Sequence, residues 1–187
     1  MSACTPPSDR RRFFRQGARW AAAAGSLPAL ATAPARAAPA ERMLALSHTH
    51  TGERLQLVYA QADRYLPEAL GSLNHFLRDH YSGEVGLIDP RLFDLLHRLR
   101  SVLGSSDSFE VISGYRCPTT NQRLRQTRGG GVASHSLHMD GRAIDLRLRG
   151  VPLAELRDAA LSLRAGGVGF YPREQFVHID TGRVRSW

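Results

Sequence analysis

The segment Ser136-Leu-His138-Met-Asp-Gly141-Arg-Ala143-Ile-Asp145 sets an imidazole and a carboxylate seven residues apart, with a glycine between them. A second segment, Phe176-Val-His178-Ile-Asp180, offers another of each. Histidine and aspartate are good zinc donors, and a catalytic zinc takes three protein ligands and keeps one position for water. His138, Asp145 and His178 are therefore the expected ligands of one zinc ion. The first two cannot share a helix face, because Gly141 interrupts them and a strand pattern starts at Ala143. Convergence needs a loop folded back onto that strand, with His178 brought in on a neighbouring strand.

Residues two apart on a strand share a face, so His178 and Asp180 project together. Asp180 could take a proton from the attacking water, or it could orient a ligand from behind. Glu174, in the loop just before that strand, is the other nearby carboxylate, and the sequence does not choose between the two. Arg116 follows Ser113-Gly-Tyr at the end of a strand pattern. Aimed into a cleft, its guanidinium would polarise a scissile carbonyl or hold a carboxylate by paired hydrogen bonds. Ser134, His135 and Ser136 flank the first motif as candidate contacts to substrate or ligands.

Composition removes alternatives. All 25 basic residues are arginine, so there is no Walker-type phosphate lysine and no Schiff-base lysine. The formal charge is +8, but residues 1–37 hold six Arg against one Asp, which leaves only +3 for the remainder. No basic stripe is interleaved with aromatics, so nucleic acid is not an expected partner. Cys4 and Cys117 are the two cysteines. If the first is lost with a leader, the mature chain has one thiol and no internal disulfide. His48 and His50 read as a solvent-facing strand end, and His75 and His80 as polar-face residues of a helix.

Residues 9–15, Asp-Arg-Arg-Arg-Phe-Phe-Arg, match a twin-arginine export signal. An alanine-rich apolar run over 20–30 follows, short for a membrane span, and then Ala35-Arg-Ala37 as a cleavage site. The expected organisation is a signal peptide over 1–37, a linker over 38–42 and one domain over 43–187. The Tat translocase would deliver it to the bacterial periplasm, with no stable membrane span once processed.

The elements that must position the chemistry follow from periodicity. A hairpin is expected over 43–46 and 53–59, and a helix over 67–80. A second helix is capped by Asp89 with Pro90 at its first position. A strand over 109–112 leads to a loop at 113–118 and a short helix capped by Thr119 or Thr120. Gly129-Gly-Gly131 reads as a flexible loop. A strand over 143–148, a helix over 153–163 and a final hairpin over 168–170 and 176–180 complete the pattern.

These residues resemble a known family. Ser136-x-His138-x-x-Gly141-x-Ala143-x-Asp145 and His178-x-Asp180 look like the motifs of zinc D-Ala-D-Ala carboxypeptidases and Hedgehog-type metallopeptidases. The closer similarity is to the murein endopeptidase K-like family. It is carried by Ser113-Gly-Tyr-Arg116-Cys-Pro118, Asn121, Gly167-Val-Gly169-Phe-Tyr-Pro172, Phe176-Val-His178-Ile-Asp180-Thr-Gly182 and Arg185-Ser-Trp187, and spans about residues 42–187. The resemblance implies an α+β fold, a small antiparallel sheet with packed helices and a zinc cleft on the sheet. It implies an exported zinc peptidase acting on peptidoglycan peptide stems, first as an endopeptidase cutting cross-links. A D-Ala-D-Ala-type carboxypeptidase or a non-catalytic peptidoglycan-binding module are the alternatives. His138, Asp145 and His178 would be ligands, Arg116 a catalytic and substrate-binding residue, and Tyr115, Asn121, Ser136 and His135 substrate contacts. One departure stands out: where many relatives place a catalytic Glu, Asp or His, three residues before the last ligand, this chain has Gln175, and the alternative position two before it is Phe176. Either Asp180 or Glu174 would then be the base, or the chain is a weak or inactive member.

Overall fold

The computed structural model describes residues 40–127 and 132–187. The expected export signal and the Gly129–Gly131 loop lie outside the described residues. The elements, in order, are strands β1 (Glu41–His48), β2 (Arg54–Gln61) and β3 (Arg64–Tyr65), helices α1 (Pro67–Phe76) and α2 (Pro90–Val102), strand β4 (Phe109–Ser113), helix α3 (Pro118–Thr127), strand β5 (Ala143–Leu148), helix α4 (Leu153–Ser162), and strands β6 (Gly167–Tyr171), β7 (Phe176–Asp180) and β8 (Arg185–Ser186).

The class is α+β, but the sheet is not the small antiparallel one expected. Among the described residues it has eight strands in the order β3-β2-β1-β4-β5-β7-β6-β8. It is mixed, because β1 pairs with β4 in parallel and β6 with β8 in parallel. A parallel pair needs a long crossover. The excursion through β2, α1 and α2 supplies one, returning the chain to the free edge of β1 in the same direction. β3 and β8 are two residues each, too short for alternation to reveal them.

Strand alternation divides the sheet into two faces. Ile144, Leu146 and Leu148 of β5 and Val177 and Ile179 of β7 join the buried apolar cluster. Asp145, His178 and Asp180, at the intervening positions, project to the opposite face. Helix α1 packs on β2, α2 on β1, and α4 on β5, β6 and β7. Helix α2 starts as expected: the Asp89 side chain accepts the Arg91 N–H at 3.0 Å and Pro90 follows.

Other boundaries moved for local reasons. Strand β1 begins at Glu41, two residues before the expected hairpin. Helix α1 stops at Phe76 instead of running to His80. Just beyond it, the buried Asp79 accepts the N–H groups of Tyr81 and Cys117, each at 2.9 Å, and draws the chain into a turn. Helix α3 starts at Pro118, ahead of the two expected threonine caps, and the Cys117 sulfur accepts the Thr120 N–H at 3.5 Å. His48 is 2% exposed, not solvent-facing. It shares strand parity with Leu44 and Leu46, and β1 is an interior strand, so it lies on the core face. Among the described residues, no helix is long and apolar enough to cross a membrane.

Candidate metal centre

Sheet register does the first part of the assembly. Ser113, Asp145, His178 and Gly169 are successive cross-strand partners on β4, β5, β7 and β6. Directly opposed residues on one face have Cβ atoms about 4.5–5.5 Å apart, which sets the aspartate and the second histidine side by side. Ser113 joins the row because β4 slips register between Val111 and Ser113. Such a bulge re-aims the residue that follows it.

His138 comes from outside the sheet. The 136–142 loop is closed by Met139 N–H on the Ser136 carbonyl at 2.9 Å and by Arg142 N–H on Leu137 at 2.9 Å. Gly141, at φ +63°, turns the chain from that loop into β5, and a Cβ there would overlap the Leu87 carbonyl. The glycine between the two candidate ligands is therefore a steric requirement of their convergence.

Hydrogen bonds then decide which nitrogen faces inward. His138 Nδ1–H donates to the Gly114 carbonyl at 2.7 Å. That leaves Nε2 at 3.2 Å from Asp145 Oδ1 and 3.3 Å from His178 Nδ1. His178 Nε2–H donates to Asp180 Oδ2 at 3.1 Å, leaving Nδ1 at 2.8 Å from Asp145 Oδ1. One donor atom from each of His138, Asp145 and His178 lies within 4.8 Å of the others, and all three residues are buried. Electron-rich atoms crowded this closely away from water need a cation or a proton among them.

Without an ion the proton takes that place. Burial opposes charge on His178, but Asp145 and Asp180 outweigh it and push its pKa up to about 9. Burial dominates at His138 and pushes it down despite Asp145. Asp145 is itself penalised by burial, yet His138 and His178 hold it well below the usual carboxylate range. Two histidines and one carboxylate, open on one side to a cleft, suit a catalytic zinc by donor type and count.

A cleft of about 460 Å³ opens over this cluster, and Arg116, His135, Ser136 and Glu174 line it. Arg116 is 8% exposed and donates from Nη2 to Ser113 Oγ at 3.2 Å and to Asp145 Oδ2 at 3.4 Å. Glu174 also lines the cleft and is exposed. Gln175 points elsewhere: at φ 60° its amide folds back onto the Pro172 carbonyl within the β6–β7 turn. Asp180 is fully buried. Its two oxygens accept from Gly167 N–H at 3.0 Å, Gly182 N–H at 2.8 Å, His178 and both terminal nitrogens of Arg185.

Two expected substrate contacts sit away from the residues lining the cleft. The Tyr115 ring covers Gly86, and its hydroxyl donates to Glu84 at 3.2 Å. Asn121 is buried and donates to the carbonyls of Ala133 at 3.1 Å and Ser134 at 3.4 Å, so it anchors the strip of chain leading to Ser136. Ser136 Oγ accepts the His138 N–H at 3.4 Å. The exposed His135 faces Asp140 at 3.5 Å. Arg185, Trp187 and Tyr171 also line the cleft. The sequence gives none of them a role: Arg185 and Trp187 reach the cleft through β8 pairing with β6, and Tyr171 through its place at the end of β6 opposite Phe176.

A family model described as peptidoglycan L,D-endopeptidase MepK matches residues 36–187. The chain belongs to that family. The peptidoglycan L,D-endopeptidase MepK of Escherichia coli (strain K12) is 46% identical over 181 residues, 96% of this chain and 97% of the relative. The Shigella flexneri protein of the same description has the same figures, 46% over 96% and 97%. The probable peptidoglycan L,D-endopeptidase MepK of Haemophilus influenzae is 43% identical over 151 residues, 80% of each chain. No solved structure matches the chain significantly.

Proposed function

We propose that this protein is an exported, zinc-dependent peptidoglycan endopeptidase that hydrolyses peptide cross-links. The observation that carries it is the convergence of His138 Nε2, Asp145 and His178 Nδ1 at the floor of a cleft, in a chain of the peptidoglycan L,D-endopeptidase family. Zinc held by these three residues would supply, when bound, a Lewis acid and an acidified water near neutral pH. The remaining chemistry belongs to the chain. Arg116, held over Asp145 by Ser113, offers guanidinium N–H groups to the scissile carbonyl as negative charge develops on its oxygen, or to a substrate carboxylate. Glu174 is the general base: it lines the cleft with an exposed carboxylate and takes the proton of the attacking water, then returns it to the leaving amine. Asp180 is a positioning residue. Five donors occupy its oxygens, so it is not available to a water; it keeps the His178 proton on Nε2 and Nδ1 turned inward.

The leader over 1–37 supports export by the twin-arginine route to the periplasm, where peptidoglycan lies. The test is digestion of purified sacculi by zinc-loaded protein, with released muropeptides resolved by chromatography. New cross-link cleavage products are expected. Glu174→Gln should lower turnover about 10²- to 10⁴-fold at unchanged zinc content. No products from zinc-loaded wild type would overturn the enzymatic role, and full activity in Glu174→Gln would overturn the assignment of the base.

A further inference from the structure

The lining of the cleft combines polar side chains, Arg116, Ser136 and His138, with an aromatic group, Tyr171, Phe176 and Trp187. The Tyr171 and Phe176 rings stack with centroids 4.6 Å apart. The Trp187 indole N–H donates to the Tyr171 hydroxyl at 2.7 Å. The backbone holds the indole in place as well: Trp187 N–H donates to the Val168 carbonyl at 3.2 Å, and its carbonyl accepts the Phe170 N–H at 3.0 Å.

The space for the ring is built into β6. Gly169 is the cross-strand partner of His178, and a Cβ at Gly169 would come within 2.7 Å of the indole. The Arg185 guanidinium lies 4.8 Å from the ring centroid, and the His178 imidazole 5.3 Å from it. A ring fixed by so many contacts still leaves Trp187 50% exposed. Large apolar surface held rigidly at the mouth of a polar site marks a binding face.

We infer that Trp187 determines specificity: its indole, extended by Tyr171 and Phe176, holds the aliphatic side chain of a peptide residue beside the scissile amide, while the peptide's polar and anionic groups lie toward Arg116. This rests on the proposed peptidase activity and adds which part of the substrate is read, and by what. Two or three methylenes covered by the ring correspond to about 15- to 60-fold in affinity.

The chain has two tryptophans, Trp20 and Trp187, so in full-length Trp20→Phe the tryptophan emission reports on Trp187 alone. Zinc-loaded Trp20→Phe is mixed by stopped flow, before hydrolysis proceeds, with three probes. These are a stem peptide bearing a long unbranched aliphatic side chain beside the scissile amide, the same peptide with alanine at that position, and a peptide-free N-acetylglucosamine oligomer. A saturable emission change is expected with the first, at least tenfold weaker binding for the second, and none with the third. In steady-state hydrolysis Trp187→Ala should raise KM about 15- to 60-fold with little change in kcat. Trp187→Phe should restore most of the loss, and zinc affinity by chelator competition should be unchanged in both. Equal binding of the two peptides, or a response to the glycan alone, overturns the inference. So does a fall in zinc affinity that tracks the activity loss, since the indole would then act through His178. If wild type hydrolyses nothing, the peptidase proposal fails, and the emission titration still decides whether Trp187 reads an aliphatic chain.

Discussion

The molecule holds two clusters of imidazoles with opposite properties. One is His138 and His178 with Asp145. The other is His48, His50 and His80, packed under the turn that follows α1. In the second, the His50 and His80 rings stack at 4.3 Å, and the His48 ring lies 5.5 Å from His80. Histidine number therefore does not separate them; their orienting partners do. In the first cluster, Gly114 and Asp180 each fix a proton on the outward nitrogen, so the inward nitrogens point lone pairs at Asp145. In the second, His48 Nδ1 accepts the His50 N–H at 3.2 Å, which puts the proton on the inward Nε2. That Nε2 and His80 Nε2 are buried with no partner among the described residues. A metal ligand needs a lone pair aimed inward and an available counter-charge; here the fixed His48 tautomer presents a proton, and the carboxylates that act on the cluster, Glu53 and Asp79, are engaged by Arg78 and by the Tyr81 and Cys117 N–H groups.

The largest test of this contrast is removal of a side chain from each cluster. His138→Ala, Asp145→Ala and His178→Ala should each lose stoichiometric zinc, by elemental analysis, and drop activity about 10³-fold or more. His80→Gln should keep its zinc and its activity within about twofold. Zinc loss in His80→Gln would erase the distinction between the clusters. Next in size is Asp180→Asn, which keeps the side-chain shape but weakens the partner of His178. Zinc affinity by chelator competition should fall about 10- to 100-fold, with kcat at saturating zinc much less affected. A collapse of kcat at full zinc occupancy would return Asp180 to the role of base.

The same contrast explains what the sequence made legible. The convergence of His138, Asp145 and His178 could be read because donor type and a two-residue strand period are local properties. Asp180 could not be resolved between base and orienting group, since the answer lies in donors from Gly167, Gly182 and Arg185 on other elements. Arg185 and Trp187 entered only through the family resemblance, and their place at the cleft was beyond reach for the same reason: it is set by a two-residue strand pairing in parallel with β6. His48 was misread because its place beside a hairpin turn suggested solvent. Its burial follows from β4 returning to the far edge of β1, the crossover that also makes the sheet mixed.

His48 and His80 should respond to pH with the opposite sign to His178. Burial first, and then the neighbouring His50, push His48 and His80 down to about 4. In the unfolded chain both titrate near about 6.5. Between those values the unfolded chain binds more protons, so stability is lost as pH falls through about 6.5 to 4. The loss should be on the order of 2 kcal/mol for His48, and less for the partly exposed His80. His178 in the metal-free protein runs the other way. Its pKa is raised to about 9, so its contribution is present below the unfolded value and lost as pH rises through 9. Urea unfolding of metal-free protein across this range should show both flanks. His48→Gln should reduce only the acid one, and a flattened alkaline flank instead would mean the clusters are coupled.

The smallest effect isolates what His50 contributes to that acid flank. His50 is exposed, and its ring both covers His80 and depresses the two buried imidazoles electrostatically. His50→Ala removes the ring but leaves the backbone N–H that fixes the His48 tautomer. The folded-state pKa values of His48 and His80 should then move up toward 6.5, and the gap that drives acid loss should narrow. The variant loses the stacking contact at every pH, so its stability at pH 7 should fall slightly. The further loss between pH 7 and pH 5, read from urea midpoints, should nevertheless be smaller than in wild type by a few tenths of a kcal/mol. A steeper acid loss in His50→Ala would mean that the ring shields the buried pair from protonation by some other route, and that burial alone does not keep the second cluster neutral.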